Sequence, residues 1–441
     1  MTVEISEHGS VAKAIELLKK LIDRKVVAAV ESCVRCGICA ETCHYYQADP
    51  RPEHVPAYRA EILRRVYRGL FDPLGRIAPG WVGATKLTPS ALDSIAETSF
   101  SSCTLCRRCT LNCPMGVDNA LLVKTLRSLA TAAGKAPEIL EQLADAAITR
   151  EEGLEFIKDL LLEQISELES ELRLKVGDAE ARIPVEKQGA DFLYVALSGA
   201  HTILPAAVLF HAAGSNWTLS LFEASNYGLF LADTARAKQI AQRIVTEAEK
   251  LGVKEVIISE CGHAYAAMRW EAPNWLGKPL PFRVRSLVEL MAEWVGEGRF
   301  ELDPSRNALP VTYHDSCNLA RSGGLLEEPR IVLNACAADF REMTPNKQHA
   351  YCCGGGSGLV AIPEWTEKRL LAGRPKADQV RATGARVVVA SCDNCRLQLS
   401  DLSEHYGLDV EVVGLADVMV NALSPRRKAG EEASEKVLLG V

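Results

Sequence analysis

The sequence lacks two features that would suggest a nucleic-acid-binding or a secreted protein. Basic residues are not in excess, since 50 Lys and Arg stand against 57 Asp and Glu and give a formal net charge of −7. A nucleic-acid role therefore has no electrostatic support at the level of the whole chain. The N-terminus has no apolar signal core, because Glu4, Glu7 and Lys13 stand where one would lie.

A long uninterrupted apolar run is also missing. The segment 192–222 contains no charged residue, and a membrane span needs about 20 mostly apolar residues. This segment is interrupted at five positions, which are Gly199, His201, Pro205, His211 and Gly214. The pattern predicts a buried strand, a turn and a helix that begins near Pro205, and we expect no transmembrane span of the chain's own.

Cysteine, in contrast, is abundant, with 15 residues. Without a secretory leader, we do not expect a disulfide scaffold, and the setting that fits is a reducing cytoplasm. Cysteines in that compartment are retained for metal binding or redox chemistry. The cysteine pattern is therefore the main guide to function.

The chain divides into regions of different composition. Residues 1–135 hold eight cysteines among short helical patterns, and an acidic, Leu-rich helical connector follows over 136–188. Over 189–310 and 311–425, β-rich runs alternate with helices, which indicates βαβ units and parallel sheets. A charged tail follows at 426–441. We therefore predict an α+β multidomain protein whose last two large regions are duplicated α/β halves.

Two runs in the first region share the spacing C-x2-C-x2-C-x3-C, which binds [4Fe-4S] cubanes. In two-cluster ferredoxins the fourth cysteine of each run ligates the other cluster, so we assign the ligands in crossed sets. The first set is Cys33, Cys36, Cys39 and Cys113, and the second is Cys103, Cys106, Cys109 and Cys43. Zinc is disfavoured, because it prefers two separated C-x2-C pairs. His44 directly follows the first run, at the position where a proline follows the second run.

A third set of cysteines lies near the C-terminus, where the stretch HAYCCGGGSGLV places two cysteines before three glycines. Adjacent cysteines make a poor disulfide, and neither a phosphate loop nor a dinucleotide fingerprint is satisfied. The set lies after predicted parallel strands, at whose carboxyl ends α/β sheets place ligands. Its members are Cys317, Cys352, Cys353, Cys392 and Cys395. Five thiolates in one crevice exceed the needs of one tetrahedral ion or one cubane.

The two α/β regions repeat one another, with Cys261 matching Cys392 and Ala264 matching Cys395. An internal duplication explains this match. In the first half, Asn226 and Tyr227 stand where the adjacent cysteine pair should be. One cysteine in five cannot hold a cluster, so we expect a single site of this third kind. Cys336 lies in a helical pattern and is interpreted as a buried apolar residue.

The pattern C, CCG and C-x2-C resembles the cysteine-rich (CCG) domains of heterodisulfide reductases. The resemblance covers 189–425 and, with the two-cluster ferredoxin region, which resembles helical ferredoxin domains, nearly the whole chain. The degenerate first half and the phrases EASNYG and ECGHAY are similar to the Dsr-type catalytic subunit of the sulfite reductase-associated membrane complex and to related Hdr-like subunits. The resemblance implies a helical ferredoxin domain with two [4Fe-4S] cubanes, fused to a duplicated CCG domain with one noncubane [4Fe-4S] cluster on the five cysteines of the third set.

The resemblance also implies an activity and partners. The implied reaction is cleavage or formation of a disulfide or trisulfide on a small sulfur-carrier protein. The implied partners are a haem b membrane subunit and other redox subunits, which would hold the chain on the cytoplasmic face of the membrane. The alternative is an electron-transfer or anchoring subunit, similar to those of glycerol-3-phosphate dehydrogenase and lactate-utilisation systems.

Three residues are candidates for the chemistry itself. Cys353 is one, as a ligand at the implied reaction centre. Cleavage of a sulfur–sulfur bond leaves thiolates that need protons, and His263 or His314 could supply them. Either histidine could equally be a backbone hydrogen-bonding group at a strand end. Four neighbours of the cysteines either tune the site or cap backbone groups, and they are Glu260, Asp315, Asn318 and Arg321.

Overall fold

The structure is a computed structural model that describes residues 7–149, 154–197 and 199–424. The charged tail predicted at 426–441 and the N-terminal Glu4 lie outside the described residues. Among the described residues, no helix combines the length and the apolar composition needed to cross a bilayer.

Short helices form the first part of the chain. Prolines start four of them, because their fixed φ suits the first helical position and the missing N–H costs nothing there. The helices are α1 Glu7–Leu21, α2 Arg24–Glu31, α3 Ile38–Thr42, α4 His44–Ala48, α5 Pro56–Phe71, α6 Pro73–Ile77, α7 Pro79–Val82, α8 Pro89–Ser101, α9 Arg108–Leu111 and α10 Asn119–Ala132. Most of them pack around one apolar core, to which Phe230 and Ile362 from later in the chain also belong.

Two helices, α11 Glu138–Thr149 and α12 Leu154–Val176, follow and connect this part to the rest. The apolar residues of α12 that are buried recur at helical spacing, at Ile165, Leu168 and Leu172. They join the main core of the α/β region, so the acidic helix packs through one face and exposes the other.

The first α/β unit contains a parallel sheet of order β2-β1-β3-β4. Its strands are β1 Phe192–Val195, β2 Trp217–Leu219, β3 Glu255–Ile258 and β4 Arg283–Ser286. Its helices are α13 Ala200–Ala212, α14 Tyr227–Leu231, α15 Thr234–Leu251, α16 Gly262–Ala266, α17 Ala272–Leu276 and α18 Leu287–Gly296. The expected helix start near Pro205 is wrong, because α13 begins at Ala200 and contains that proline.

The second α/β unit has a parallel sheet of order β6-β5-β7-β8, which is the same order as in the first unit. Its strands are β5 Val311–Tyr313, β6 Phe340–Arg341, β7 Val387–Val389 and β8 Glu411–Val413. Its helices are α19 Glu328–Cys336, α20 Thr366–Thr383, α21 Asp393–Tyr406 and α22 Leu415–Ala422. The predicted class, a helical region followed by two parallel α/β halves, is confirmed.

The duplication extends to the end of the third strand in each sheet. Cys261 follows β3 and caps α16, while Cys392 follows β7 and caps α21. Both residues have extended backbone conformations, with φ of −143° and −156°. The sequence match between these cysteines therefore corresponds to the same structural position in each half.

Candidate functional site

The five cysteines of the third set lie together at one edge of the second sheet. Strands β6, β5 and β7 are neighbours and run parallel, so their carboxyl ends open onto the same side. Cys317 follows β5, Cys352 and Cys353 follow β6, and Cys392 and Cys395 follow β7. Four of the five are buried, and Cys317 is partly exposed.

The five thiols form a continuous series of contacts. Cys317 contacts Cys352, Cys352 contacts Cys353, and the Cys353 and Cys395 sulfurs are 3.2 Å apart. Cys395 in turn contacts Cys392. This arrangement concentrates thiols that can bind more than one metal ion, which suits a multi-iron cluster.

The contacts also set which thiol ionises first. Hydrogen bonds from Cys106, Cys317 and Cys353 lower the pKa of the Cys352 thiol well below its usual value. The hydrogen bond to Cys352 is also the main cause that raises the pKa of Cys353. A thiolate at Cys352 is therefore the form that its surroundings stabilise, and thiolates are the metal-binding form of cysteine.

Gly354, the first glycine after the pair, lies where a neighbouring helix passes close to the backbone. Gly354 has a φ of +101°, and a Cβ there would lie 2.9 Å from the Arg369 carbonyl oxygen and 3.0 Å from the Gly373 nitrogen. Helix α20 therefore comes too close for any side chain at this position. The N–H of Gly354 donates to the Cys352 sulfur at 3.5 Å.

His314 lies beside the thiols. One of its ring nitrogens and the sulfurs of Cys353 and Cys395 all lie within 4.8 Å of one another. The ring is fully buried, and neither nitrogen has a hydrogen-bond partner among the described residues. Burial, with a contribution from the nearby Lys376 charge, holds the pKa of His314 well below its usual value, so the ring is neutral.

His263 belongs to the degenerate first half. Its Nε2 accepts a hydrogen bond from the Asn226 N–H at 3.4 Å, so its proton is on Nδ1, which lies 3.2 Å from the Cys261 sulfur. Its ring lies against Phe230, with the centroids 4.4 Å apart. Burial lowers the pKa of His263 to about 4. Both ring nitrogens of this neutral histidine are therefore already in use.

The second ferredoxin set surrounds one small cavity. Cys43, Cys103, Cys106 and Cys109 all line it, so the fourth cysteine of the first run meets the first three of the second run. Burial would raise the pKa of Cys43, but the Arg59 guanidinium, 3.5 Å from its sulfur, brings that pKa below its usual value. Four thiols around one enclosed space, with a cation beside them, fit a [4Fe-4S] cubane.

The first ferredoxin set is more open. Cys36 is exposed, whereas Cys39 is buried. Cys33 and Cys113 are partly buried against the same apolar core, and the Val117 N–H lies 3.4 Å from the Cys113 sulfur. The thiols of Cys33 and Cys39 are close enough to interact, and the Cys36 position faces solvent.

Cys106 joins the second ferredoxin set to the third set. Its sulfur lies within 4.8 Å of both the Cys352 sulfur and a His44 ring nitrogen. The Thr104 hydroxyl lies between them, 3.2 Å from His44 Nε2 and 3.4 Å from the Cys352 sulfur. The two predicted metal sites therefore adjoin through a thiol of each.

His44 and Thr104 were not among the predicted site residues. The sequence did contain one signal, since His44 occupies the place of an expected proline. Its ring is 1% exposed, and its Nδ1 lies 3.0 Å from the Ala372 carbonyl oxygen, so Nδ1 carries the proton and donates to that oxygen. A residue that belongs to the first ferredoxin motif thereby reaches helix α20 and the third set.

Three arginines connect the helical region to the second α/β unit. Arg127 donates to the carbonyl oxygens of Ser99, Cys103, Phe230 and Ser357. Arg321 donates to the carbonyl oxygens of Gln348, Cys106 and Ala350, and Arg108 donates to those of His349 and Thr42. The backbone around Cys103 and Cys106 is thus fixed to the chain on both sides of the CCG pair.

The other flanking residues also make structural contacts. Asp315 forms a two-pronged ion pair with Arg330, at 2.7 and 2.8 Å, and accepts from the Lys347 N–H. Glu260 lies 3.3 Å from Arg396 and accepts from the Leu415 N–H at 2.8 Å, so it connects the two halves. Both carboxylates therefore hold backbone segments around the cysteines.

Lys376 is a further residue that the sequence did not identify. It is 1% exposed, and its Nζ lies 3.5 Å from the Met343 sulfur. Among the described residues it has no carboxylate within ion-pair distance. Burial lowers the pKa of Lys376 to about 8, against the opposing influence of Asp315 and then Cys353. A buried cation next to the thiols offsets their negative charge.

A cavity of about 250 Å³ lies where the helical region and the two α/β units meet. Its lining includes Thr104, Phe230, His263, Trp270, Asn318 and Ser357. Thr104 contacts Cys352, and Asn318 directly follows Cys317. Residues that line the cavity are therefore direct neighbours of the third set of cysteines.

Comparison with known domain families gives two matches. A 4Fe-4S dicluster domain matches residues 29–117, which hold both ferredoxin runs. A cysteine-rich domain matches residues 311–400, which hold all five cysteines of the third set. Both are iron–sulfur domains, in agreement with the donor sets described above.

Comparison with curated proteins gives relatives that match over most of the chain. An Hdr-like menaquinol oxidoreductase iron-sulfur subunit 2 from Archaeoglobus fulgidus is 30% identical over 93% of this chain and 82% of its own length. A subunit of the dihydromethanophenazine:CoB–CoM heterodisulfide reductase from Methanosarcina mazei is 26% identical over 92% of this chain and 98% of its own. An EtfAB:quinone oxidoreductase from Syntrophomonas wolfei is 24% identical over 84% and 55%.

Proposed function

Because the chain belongs to the family of Hdr-like iron–sulfur oxidoreductase subunits, we propose that it cleaves or forms a sulfur–sulfur bond on a small sulfur-carrier protein. The sites proposed for this chemistry are two [4Fe-4S] cubanes on the crossed ferredoxin sets and one noncubane [4Fe-4S] cluster on the third set. We also propose that the domain boundaries are those given by the sequence, at 1–135, 136–188, 189–310, 311–425 and 426–441.

The observation that carries the proposal is the series of thiol contacts from Cys106 through Cys352 and Cys353 to Cys395. Reduction of a disulfide takes two electrons and two protons and gives two thiols. The clusters, when bound, would supply the electrons singly through adjoining sites. Direct contact between Cys106 and Cys352 supports such a route, because no intervening segment would separate the second cubane from the noncubane site.

We assign His314, in preference to His263, as the hydrogen-bond donor to a product thiolate; the N–H of a neutral imidazole is too weak an acid to give up its proton, so the two protons of the reaction come from water. A neutral imidazole carries one N–H, and the His314 ring has no partner among the described residues, so that N–H is available to a product thiolate. His263 instead uses both nitrogens for Asn226 and Cys261. His263 would then act at the wall of the 250 Å³ cavity, through which the sulfur–sulfur bond would approach.

The proposed setting is a membrane complex. Relatives are named as subunits of a menaquinol oxidoreductase and of a heterodisulfide reductase, which supports redox partner subunits for this chain. A haem b subunit in the membrane is the partner we propose, with this chain peripheral on the cytoplasmic face. The exposed Cys36 would place the first cubane nearest to an external redox partner.

Replacement of Cys353 tests the proposal, and Cys336 provides a matched control. Both cysteines are buried, at 1% and 0% exposure, but Cys336 lies in α19 away from the third set. Cys353→Ala should abolish disulfide turnover and the paramagnetic signal that appears when the oxidised protein meets its dithiol carrier. It should retain about eight irons for the two cubanes. Cys336→Ala should retain turnover, signal and iron.

The same experiment separates the two function classes. If Cys353→Ala retains sulfur turnover, and no substrate-dependent signal appears in the unaltered protein, the enzymatic assignment fails. The electron-transfer role in a dehydrogenase is then the function that remains.

A further inference from the structure

A short helical hairpin, residues 73–83, carries large apolar side chains into solvent. It consists of α6, α7 and the following Gly83. Ile77 is 84% exposed, Trp81 is 86% exposed, and Leu74 is 44% exposed. Leu74 and Ile77 are three residues apart on α6 and so share one face of that helix. Burial of such side chains is favourable, so their exposure requires a reason.

The backbone of the hairpin is packed closely onto α5. A Cβ on Gly75 would lie 2.1 Å from the Arg68 carbonyl oxygen, and one on Gly69 would lie 2.7 Å from the Thr85 carbonyl oxygen. The Thr85 N–H donates to the Arg65 carbonyl oxygen at 3.0 Å. The hairpin is thus held in place by its backbone, while Ile77 and Trp81 point away from the core.

The charge of this segment is opposite to that of the chain. Between residues 65 and 86 the sequence has four cationic residues and one acidic residue, Asp72, whose carboxylate is used to accept from the Leu74 N–H at 2.9 Å. The cationic residues are Arg65, Arg68, Arg76 and Lys86. Within the ranges that the structure describes, none of them has a carboxylate within 4.0 Å. The local charge of about +3 is therefore uncompensated, in a chain of net −7.

The three arginines of this group also fix the hairpin. Arg68 donates to the Val82 carbonyl oxygen at 2.9 Å, and Arg65 donates to that of Gly83 at 3.2 Å. Arg76 donates to the Leu70 carbonyl oxygen at 3.0 Å. Their cationic groups are consequently held around the base of the exposed apolar side chains.

We propose that hairpin 73–83 contacts an anionic phospholipid surface, with Ile77 and Trp81 in the headgroup region and the cationic residues on lipid phosphates. Tryptophan favours the membrane–water interface, and basic residues flanking apolar ones strengthen binding to anionic lipids. A protein partner fits less well, because a stable protein interface uses about 20–30 residues a side, whereas this feature presents three apolar side chains. This lipid contact goes beyond the proposed function and requires neither a cluster nor a sulfur substrate.

Vesicle binding by the full chain tests the inference. The unaltered protein should co-sediment with vesicles of phosphatidylcholine and phosphatidylglycerol, bind more weakly to phosphatidylcholine alone, and be released by high salt. The double substitution Ile77→Ser and Trp81→Ser should weaken binding by about tenfold or more. Leu174→Ser is the matched control, since Leu174 is 85% exposed on α12, and it should bind as the unaltered protein does.

A second variant locates the contact. Trp81→Phe should keep most of the binding but lose the component of tryptophan emission that brominated lipids quench. Failure of the unaltered protein to bind anionic vesicles would overturn the proposal, and so would equal binding by the double variant. Equal quenching in Trp81→Phe would also overturn it, because another tryptophan would then be at the lipid.

Discussion

Arg127 connects three parts of the chain, and its replacement by methionine is the most informative perturbation. The side chain is fully buried, and it donates to the Ser99 and Cys103 carbonyl oxygens at 2.9 and 2.7 Å and to the Phe230 carbonyl oxygen at 3.0 Å. It also contacts the Ser357 hydroxyl at 2.7 Å. Methionine fills much of the same volume but donates no hydrogen bond.

The expected loss of stability follows from the acceptors left behind. A buried acceptor without a partner costs about 1–3 kcal/mol, so the four carbonyl oxygens of Ser99, Cys103, Phe230 and Ser357 together cost about 4 kcal/mol at the lower end. Removal of a buried charge returns part of this, because burial already lowers the pKa of Arg127 to about 10. We therefore expect Arg127→Met to lower the free energy of unfolding by about 2–4 kcal/mol.

The assay is anaerobic urea unfolding, read by tryptophan emission, together with the rate at which electrons pass from the cubanes to the third site. Arg386→Met is the control, because Arg386 makes an exposed ion pair with Asp409 at 2.7 Å, and its loss should change stability by less than about 1 kcal/mol. An Arg127→Met protein as stable as the control variant, with the same electron-transfer rate, would refute the reasoning.

Three further predictions concern single groups. The folded pKa of His263, about 4, lies below the unfolded value of about 6.5, so its contribution is complete above pH 6.5 and is lost as pH falls toward 4, by up to about 3 kcal/mol. His263→Gln should flatten the dependence of the urea midpoint on pH in that window. It should also slow disulfide turnover without loss of iron. A midpoint that still falls as steeply with pH would exclude His263 as the source of the pH dependence. Lys376→Met should make the third site harder to reduce at unchanged iron content, since a buried cation near its thiols is lost; a redox titration that gives an unchanged midpoint would contradict this. Brief exposure to air should destroy the first cubane before the other clusters, because Cys36 is exposed, and iron analysis that shows simultaneous loss would argue against this.

Local patterns in the sequence predicted the strand ends that carry the cysteines and the duplication of the α/β unit. The position of Cys392 and Cys395 after a β-rich run placed them at a strand end. The match with Cys261 predicted an internal duplication, and the two sheets have the same strand order. The helix that contains Pro205 was placed wrongly, because proline favours a first turn and here lies in the interior of α13. Neighbouring contacts of α13 with α12 and α22 stabilise it despite that proline.

The contacts between distant segments could not be predicted in the same way. His44 and Ala372 are 328 positions apart in the chain, and Arg127 and Ser357 are 230 apart. Spacing rules describe ligands within one motif, whereas these contacts depend on how the helical region packs against α20 and against the loop that carries Ser357. The buried Lys376 was missed for a related reason, since lysine is almost never fully buried and composition gives no indication of an exception.

The arginine contacts have a consequence for the evolution of the junction between the metal sites. Arg108, Arg127 and Arg321 are bonded largely to main-chain carbonyl oxygens, which every residue type provides. The residues that accept these bonds can therefore change identity without loss of the contact, provided that the backbone keeps its path. Correlated substitutions would not reveal such a junction, and insertions or deletions in the accepting loops would damage it more than any exchange of side chains there.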